Sequence, residues 1–143
     1  MAGYLTGCDA TFANAANQVS AHVGIGLDGT IHEYVHDEDV AWANGRLEEG
    51  NHWPGPVGIN PNHVTISCET EDRANNDEPV TPEQYRSVLA WGKAMTAKYP
   101  SIRFLLSHGA ISPHTRPHCP GNRWSESGLL DRLASDLGLE LVV

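Results

Sequence analysis

Positive charge and long apolar runs are both scarce in this sequence. Nine Lys and Arg stand against eighteen Asp and Glu, which gives a formal net charge of −9. Nucleic acids and anionic membranes select basic surfaces, so we exclude both as main partners. No stretch approaches about 18 consecutive apolar residues, so the sequence predicts no membrane span. The opening residues also lack the basic and apolar regions of a secretory signal peptide.

Cysteine is scarce as well. The three cysteines are an odd number with no CxxC pair, so at most one disulfide can form and a disulfide scaffold is excluded. A chain of 143 residues with 40% hydrophobic residues is the size of one domain with its own core. Histidine, in contrast, is abundant: eight residues indicate metal or acid–base chemistry.

Short β-branched segments predict a sheet. Residues 19–26 and 30–35 flank the pair Asp28-Gly29, a strong signal for a two-residue hairpin. Residues 63–69 predict a buried strand before a charged loop over 71–79, and residues 102–106 predict a fourth strand.

Two helices complete the predicted fold. One helix should begin at residue 81 and run to near Lys98. Its start is indicated by Thr81 as the N-cap, Pro82 at the first helical position and Gln84 as the partner of Thr81 in a capping box. A last helix should run from about Ser125 and stop at Gly138. The order of elements predicts an α/β fold, with a mixed β-sheet flanked by helices in a single domain, residues 1–143.

The stretch SHGAISPHTRPHCPG, residues 107–121, contains the most informative chemistry. His108 follows a strand, and Cys119 lies eleven positions later in a proline-rich loop. Imidazole nitrogen and thiolate sulfur are both good zinc ligands, and a catalytic zinc site needs three protein ligands. A surface loop with a solvated His and a half-buried Cys is the simpler interpretation of the same residues.

Five blocks of sequence resemble one family in order and spacing. They are VSAHVGIGLDGTI, DVAWANG, NHVTISCETE, TPEQY and SHGAISPHTRPHCPG, and together they cover roughly residues 19–124. The chain resembles the zinc-dependent N-acetylmuramoyl-L-alanine amidases, which include amidase-type phage lysozymes (endolysins) and peptidoglycan recognition proteins. The resemblance implies a zinc-water site that hydrolyses the amide between the lactyl group of N-acetylmuramic acid and L-alanine in peptidoglycan.

The resemblance also implies roles for individual residues. His108 and Cys119 correspond to the family's second and third zinc ligands, and Glu69 to an acidic residue that takes the proton from the attacking water. Arg116 is assigned from its own chemistry and not from the family pattern: as a fixed cation it could stabilise a developing oxyanion, although a plain surface cation is an equally good interpretation. Substrate-binding roles are expected for three further residues of the matching blocks: His22, Trp42 and Asn44. His22 can also be read as a core histidine, and Trp42 as a core aromatic.

Two departures from the family pattern bear on activity. The family's first zinc ligand is a His on an opening strand, and no His precedes His22 in this sequence. Either an opening strand precedes Met1 in the native chain, or His22, His114 or His118 completes the site, or zinc binding is weak or lost. We favour the missing opening strand, because its loss would leave a sheet edge unpaired. In addition, Pro117 replaces the Lys or Thr that many members place two positions before the third ligand.

These features predict a zinc-dependent peptidoglycan amidase that acts in cell-wall lysis or turnover. The expected partners are peptidoglycan and muramyl peptides, with a separate cell-wall-binding module as a further candidate. Without a signal peptide, the protein should be made in the cytoplasm and reach the wall after release or by another export route. The alternative is a non-catalytic module that binds muramyl peptides with an incomplete zinc site.

Overall fold

The computed structural model describes residues 3–73 and 78–143. Part of the loop predicted over 71–79 lies outside the described residues, and so does the predicted opening strand before Met1. The helices are α1 (Leu5–Ala13), α2 (Pro82–Lys98), α3 (His108–Ile111), α4 (Asn122–Ser125) and α5 (Leu129–Leu137). The strands are β1 (Val23–Ile25), β2 (Ile31–Glu33), β3 (Cys68–Thr70), β4 (Phe104–Leu106) and β5 (Glu140–Val142). Short 3₁₀ turns cover Ala15–Asn17 and Pro61–His63.

The predicted hairpin is present, but its strands are shorter and its turn is longer than the predicted two residues, because Ile25 pairs with Ile31. β1 and β2 pair antiparallel, with Gly24 opposite His32. The turn is closed by a bond of 2.8 Å from the Gly26 backbone N–H to the Thr30 carbonyl. Gly29 has a φ of +84°, which explains why glycine suits this position.

The strands form two small sheets in the part of the chain that the structure describes. One sheet has the order β2-β1-β3, with β3 parallel to β1, and the other pairs β4 with β5 in parallel. The predicted mixed sheet is therefore confirmed within an α/β fold. The division of the strands into two sheets, and strand β5 itself, were not predicted from the sequence.

Helix α2 covers the buried face of the hairpin and β3. Val23 and Ile25 of β1 pack with Tyr85 and Val88 of α2 and with Trp124 in the main core. The predicted N-cap is confirmed, since the Thr81 side chain accepts a bond from the Gln84 backbone N–H. The Gln84 side chain does not reach back to the cap as a capping box requires. It is fully buried and donates to the carbonyls of Ile25 at 3.0 Å and Glu71 at 3.1 Å.

Helix α1 was not predicted. Its sequence, LTGCDATFA, contains a glycine and β-branched threonines and has no clear apolar stripe, so intrinsic propensity is weak. Tertiary contacts hold it instead, because Leu5 and Cys8 are buried and Asp9 accepts hydrogen bonds from His32 at 2.8 Å and Tyr34 at 2.9 Å.

The predicted C-terminal helix is interrupted. Gly128 adopts the left-handed conformation between α4 and α5, and Gly138 ends α5 in the same conformation, as predicted. None of the helices in residues 3–73 and 78–143 has the length and apolarity needed to cross a membrane.

Candidate active site

The ligand loop, which we define as residues 107–120, begins where β4 ends. Ser107 is the N-cap of α3, and its side chain accepts a bond of 3.0 Å from the Ala110 N–H. His108 is the first residue of this short helix, so the cap fixes the backbone from which the imidazole projects.

Close backbone contact joins the two ends of the ligand loop. The Gly109 N–H donates to the Cys119 carbonyl at 3.1 Å. A Cβ at position 109 would lie only 3.2 Å from the Pro117 carbonyl oxygen and 3.3 Å from that of Arg116. Glycine thus allows the backbone next to His108 to approach the backbone of Cys119. The Cys119-Pro120 peptide bond at the end of the loop is cis.

Glu69, His108 and Cys119 lie where two cavities meet. The first cavity, about 620 Å³, lies among β3, β4, α2 and α5, and the second, about 670 Å³, lies between α1 and the ligand loop. The residues that line both are Ala43, Glu69, His108, Cys119 and Pro120. The structure therefore brings the three chemically central residues of the sequence prediction to one place.

The surroundings favour uncharged forms of the imidazole and the thiol. Burial lowers the pKa of His108, opposed by the negative charge of Glu69 and by a hydrogen bond to the Asn44 backbone. Burial raises the pKa of the Cys119 thiol, and the charge of Glu69 acts in the same direction. A neutral imidazole is a competent metal ligand, whereas the thiol would have to lose its proton on binding a cation.

Trp42 and Asn44 lie on the rim of these cavities. Trp42 is 53% exposed and lines the second cavity. Its backbone is held firmly, because the N–H donates to the Ser20 hydroxyl at 2.9 Å and the carbonyl accepts from the Ser20 N–H at 3.2 Å. Asn44 lines the first cavity and donates to the Thr65 hydroxyl at 2.6 Å.

Arg116 is exposed and lines the second cavity. Its positive charge acts to lower the pKa of both His108 and Cys119, which places it within electrostatic range of the two predicted ligands. Its position therefore allows it to stabilise negative charge that develops in the cleft.

His22 does not join this group. The side chain is buried, and its ring nitrogens lie 3.0 Å from the Ser67 hydroxyl and 3.1 Å from the Asp39 carbonyl. It is absent from the described lining of both cavities. This position matches the interpretation of His22 as a satisfied core histidine, and its role in substrate binding stays a prediction.

His108 and Cys119, the two zinc ligands predicted from the sequence, are not joined by a third potential ligand among the described residues. No group of three or more His, Cys, Asp or Glu residues that could hold a metal ion occurs within 3–73 and 78–143. His114 and His118 are both exposed. Because catalytic zinc takes three protein ligands, the described residues do not by themselves fit such an ion.

Sequence reasoning missed Glu48, which contacts the ligand loop across 66 positions of sequence. It lies in a loop rich in Gly, Pro and Asn, where no periodic pattern distinguishes it from its neighbour Glu49. The glycine that follows His108 was visible in the sequence, but its contact with the far end of the loop was not.

A carboxylate, an imidazole and a thiol around one cleft of an α/β domain are typical of a hydrolase site. The family model for N-acetylmuramoyl-L-alanine amidase matches residues 2–122, and the chain therefore belongs to this family. No curated protein matches the chain.

Three solved structures are similar to the chain. The amidase LysC from Clostridium intestinale URNW is 26% identical, with a TM-score of 0.60 over 84% of this chain and 65% of LysC. A selenomethionine derivative of AmpD is 26% identical, with a TM-score of 0.63 over 86% of this chain and 73% of AmpD. AmiD from E. coli, in complex with anhydro-N-acetylmuramic acid-L-Ala-D-gamma-Glu-L-Lys, is 21% identical, with a TM-score of 0.73 over 96% of this chain and 54% of AmiD. The AmiD likeness bears on the fold alone, and the chain spans less than two thirds of LysC.

Proposed function

We propose that this protein hydrolyses the amide bond between N-acetylmuramic acid and L-alanine in peptidoglycan. The observation that carries the proposal is the shared position of Glu69, His108 and Cys119 at the junction of two cavities, in a chain that belongs to the amidase family. Peptidoglycan and muramyl peptides are the proposed partners, and cell-wall lysis or turnover is the proposed role. The muramyl peptide in the AmiD complex belongs to the same substrate class.

Each residue at the junction has a defined role in this proposal. Glu69 takes a proton from the water that attacks the amide carbonyl, and later delivers it to the leaving amine. Arg116 stabilises the negative charge that develops on the carbonyl oxygen, but its pKa is too high for it to donate a proton. Trp42 offers an exposed ring to the sugar or peptide, and Asn44 orients the wall of the groove.

Zinc dependence is part of the proposal. His108 and Cys119 would be two of the ligands, and the third would come from outside the described residues. Bound zinc polarises a carbonyl and lowers the pKa of its water, which is the chemistry that an unactivated amide needs.

A strand between β3 and β4 would supply the missing ligand. β3 lies at an edge of its sheet and β4 has β5 on one side only, among the strands of the described residues. The first cavity is bordered by both strands, and the three residues of β4 are apolar yet only half-buried. Edge strands usually carry charge or proline, and a strand as apolar as β4 is typical of the interior of a parallel sheet.

Gly3 pairs with the segment that follows β3. Gly3 and Asp72 exchange backbone hydrogen bonds of 2.5 and 3.2 Å, just beyond the carboxyl end of β3. This bridge is antiparallel, so it does not itself support a strand that runs parallel to β3. From the unpaired edges of β3 and β4 among the described residues, we propose that residues 1–143 form an amidase domain that is completed by an opening strand.

The negative net charge of the chain bears on how the protein reaches the cell wall. A chain with a net charge of −9 gains no long-range attraction to an anionic wall, and the screening length is only about 8 Å at physiological salt. We propose release or another export route from the cytoplasm, with a separate wall-binding module as the element that brings the domain to its substrate.

A second candidate function is muramyl-peptide binding without turnover. The observation that favours it is the lack of a three-donor cluster in residues 3–73 and 78–143. The same rim residues would then hold the ligand in the cleft, while no group would activate water.

The experiment compares release of stem peptide from purified muropeptides, with and without added zinc, for the chain and for a form extended by an apolar strand that ends in His. The amidase proposal predicts zinc-dependent release that is lost in Glu69→Gln. Muramyl-peptide binding without release from either form would decide for the binding module.

A further inference from the structure

Glu48 connects the long loop after β2 to the ligand loop through its carboxylate. One oxygen, Oε2, accepts bonds from the backbone N–H groups of His114 at 2.7 Å and Thr115 at 3.1 Å. The other oxygen, Oε1, accepts from the Thr115 hydroxyl at 2.5 Å. One side chain therefore satisfies three donors of the ligand loop.

Backbone bonds reinforce this connection on either side. The Glu48 N–H donates to the Ile111 carbonyl at 3.2 Å, and the His52 N–H donates to the Ala110 carbonyl at 2.7 Å. The loop segment 48–52 thus contacts the ligand loop along residues 110–115. Hydrogen bonds to a charged acceptor are about twice as strong as neutral ones, so the carboxylate is the strongest part of the contact.

The contact is linked to the predicted ligands by the internal bonds of the ligand loop. The Arg116 N–H donates to the Ser112 carbonyl at 2.8 Å, and the Cys119 N–H donates to the Arg116 carbonyl at 3.1 Å. Thr115, which Glu48 holds by two donors, directly precedes Arg116. Movement of Thr115 would therefore displace both Arg116 and Cys119 relative to His108.

We infer that Glu48 is a positioning residue, which fixes the ligand loop so that Arg116 and Cys119 stay beside His108 at the cleft that Glu69 also lines. The inference rests on the proposed function for its catalytic consequence, but the geometric part stands on the three contacts of the carboxylate. The lowered pKa of Glu48, caused first by the bond from the Thr115 side chain, agrees with a carboxylate that stays ionised in this contact.

The first test measures how fast each cysteine reacts with a thiol reagent, with labelled peptides quantified by mass spectrometry. Loss of the contact in Glu48→Ala should speed labelling of Cys119 by about tenfold, because the loop then opens locally. Cys8 and Cys68 serve as internal references, since a general loss of stability would speed all three thiols. Glu49→Ala, at the exposed neighbouring carboxylate, is the matched control and should leave the Cys119 rate unchanged.

The second test measures amidase kinetics. Glu48→Ala should lower kcat by about tenfold or more, with little change in KM. Loss of an outer residue that orients metal ligands typically has an effect of this size. Glu48→Gln keeps an acceptor oxygen and should recover part of the loss. Thr115→Val should add little to Glu48→Ala, because both remove part of one contact.

The two tests separate failure of this inference from failure of the proposed function. A change in Cys119 labelling without amidase activity in any form would keep the role of Glu48 in loop geometry and reject the amidase. Unchanged Cys119 labelling and unchanged kcat in a folded Glu48→Ala would overturn the role of Glu48. Equal acceleration at all three cysteines would also overturn it, since Glu48 would then contribute only to general stability.

Discussion

The two sides of the cleft are built differently. On one side, the ligand loop is held by hydrogen bonds within its own backbone and by hydrogen bonds to Glu48. On the other side, β3 and β4 border an apolar cavity of about 620 Å³, and each lies at an edge of its sheet in the described part of the chain. We call the ligand loop the closed side of the cleft. We call β3 and β4 the open side, because among the described residues each of them is paired along one edge only.

This difference bears on the proposed roles of the residues at the cleft. The closed side holds His108, Arg116 and Cys119, of which His108 and Cys119 are the two proposed zinc ligands. In the proposal, the third ligand would come from the open side, since the described residues contain no group of three or more potential metal ligands. If the proposal is correct, substitutions of cleft residues should mainly change the rate of hydrolysis, and changes at the open side should mainly change the affinity for zinc.

The largest expected effect is on catalysis at the junction of the cavities. Glu69→Gln keeps the shape of the side chain but removes the base, so kcat should fall by about 10²- to 10⁴-fold with KM nearly unchanged. Release of stem peptide from muropeptides measures the effect. Glu126→Gln, at an exposed carboxylate outside the cleft lining, is the control. Equal activity of Glu69→Gln and wild type would remove Glu69 from the mechanism.

The second prediction concerns the open side of the cleft, formed by β3 and β4, and its effect on zinc affinity. A strand that ends in His, joined before Gly3, should tighten zinc binding, because it adds a third ligand and pairs two open edges. Zinc titration of both forms measures this, and the same strand ending in Ala controls for sheet completion alone. If the His and Ala strands gave the same affinity, the third ligand would not come from this gap.

Trp42 should affect substrate binding rather than chemistry. Trp42→Ala removes an exposed ring from a rigid backbone, and we expect KM to rise by about tenfold while kcat changes little. Phe in place of Trp42 should retain much of the affinity. A fall in kcat at constant KM would instead indicate that Trp42 shapes the cleft around Glu69.

The N-cap of helix α2 should affect the stability of the whole domain but not the ligand loop. Thr81→Ala removes the acceptor for the Gln84 N–H and should lower the free energy of unfolding by about 1 kcal/mol. Urea unfolding measures the change. Cys119 labelling under native conditions should stay the same, because the contact of Glu48 with the ligand loop is intact; faster labelling would mean that the loop depends on α2.

The smallest effect concerns the docking of α1. Hydrogen bonds from His32 first, and then Tyr34, lower the pKa of Asp9 below its usual value of 3.8. A lowered carboxyl pKa stabilises the folded state above the unfolded value, and the stabilisation is lost as pH falls through the folded value. Asp9→Asn should therefore unfold more easily than wild type at neutral pH, with the difference vanishing in acid. A difference that did not depend on pH would contradict this origin.

Local signals in the sequence predicted much of the scaffold. The pair Asp28-Gly29 predicted the place of the hairpin, although not the length of its turn, and Thr81-Pro82 predicted the start of α2. Both were predictable because turn and cap chemistry depend on adjacent residues. Glu69, His108 and Cys119, which the matching blocks singled out, line the same two cavities, and their roles stay predictions.

Other features depend on contacts between distant segments and could not be predicted. Helix α1 has weak propensity and forms through Leu5, Cys8 and Asp9, whose partners lie in other elements. Gln84 matched a capping box by spacing, yet tertiary packing draws its side chain into the core. Glu48 carries no local signal, since its partners are 66 and 67 positions away.

The most direct test measures zinc content and release of stem peptide together, in wild type, His108→Ala and Cys119→Ala, each carrying the same added strand. The account predicts that the parent form binds one zinc ion and cleaves between the lactyl group and L-alanine, and that each substitution abolishes both properties. Cleavage that persists without bound metal, or zinc binding that survives both substitutions, would contradict it.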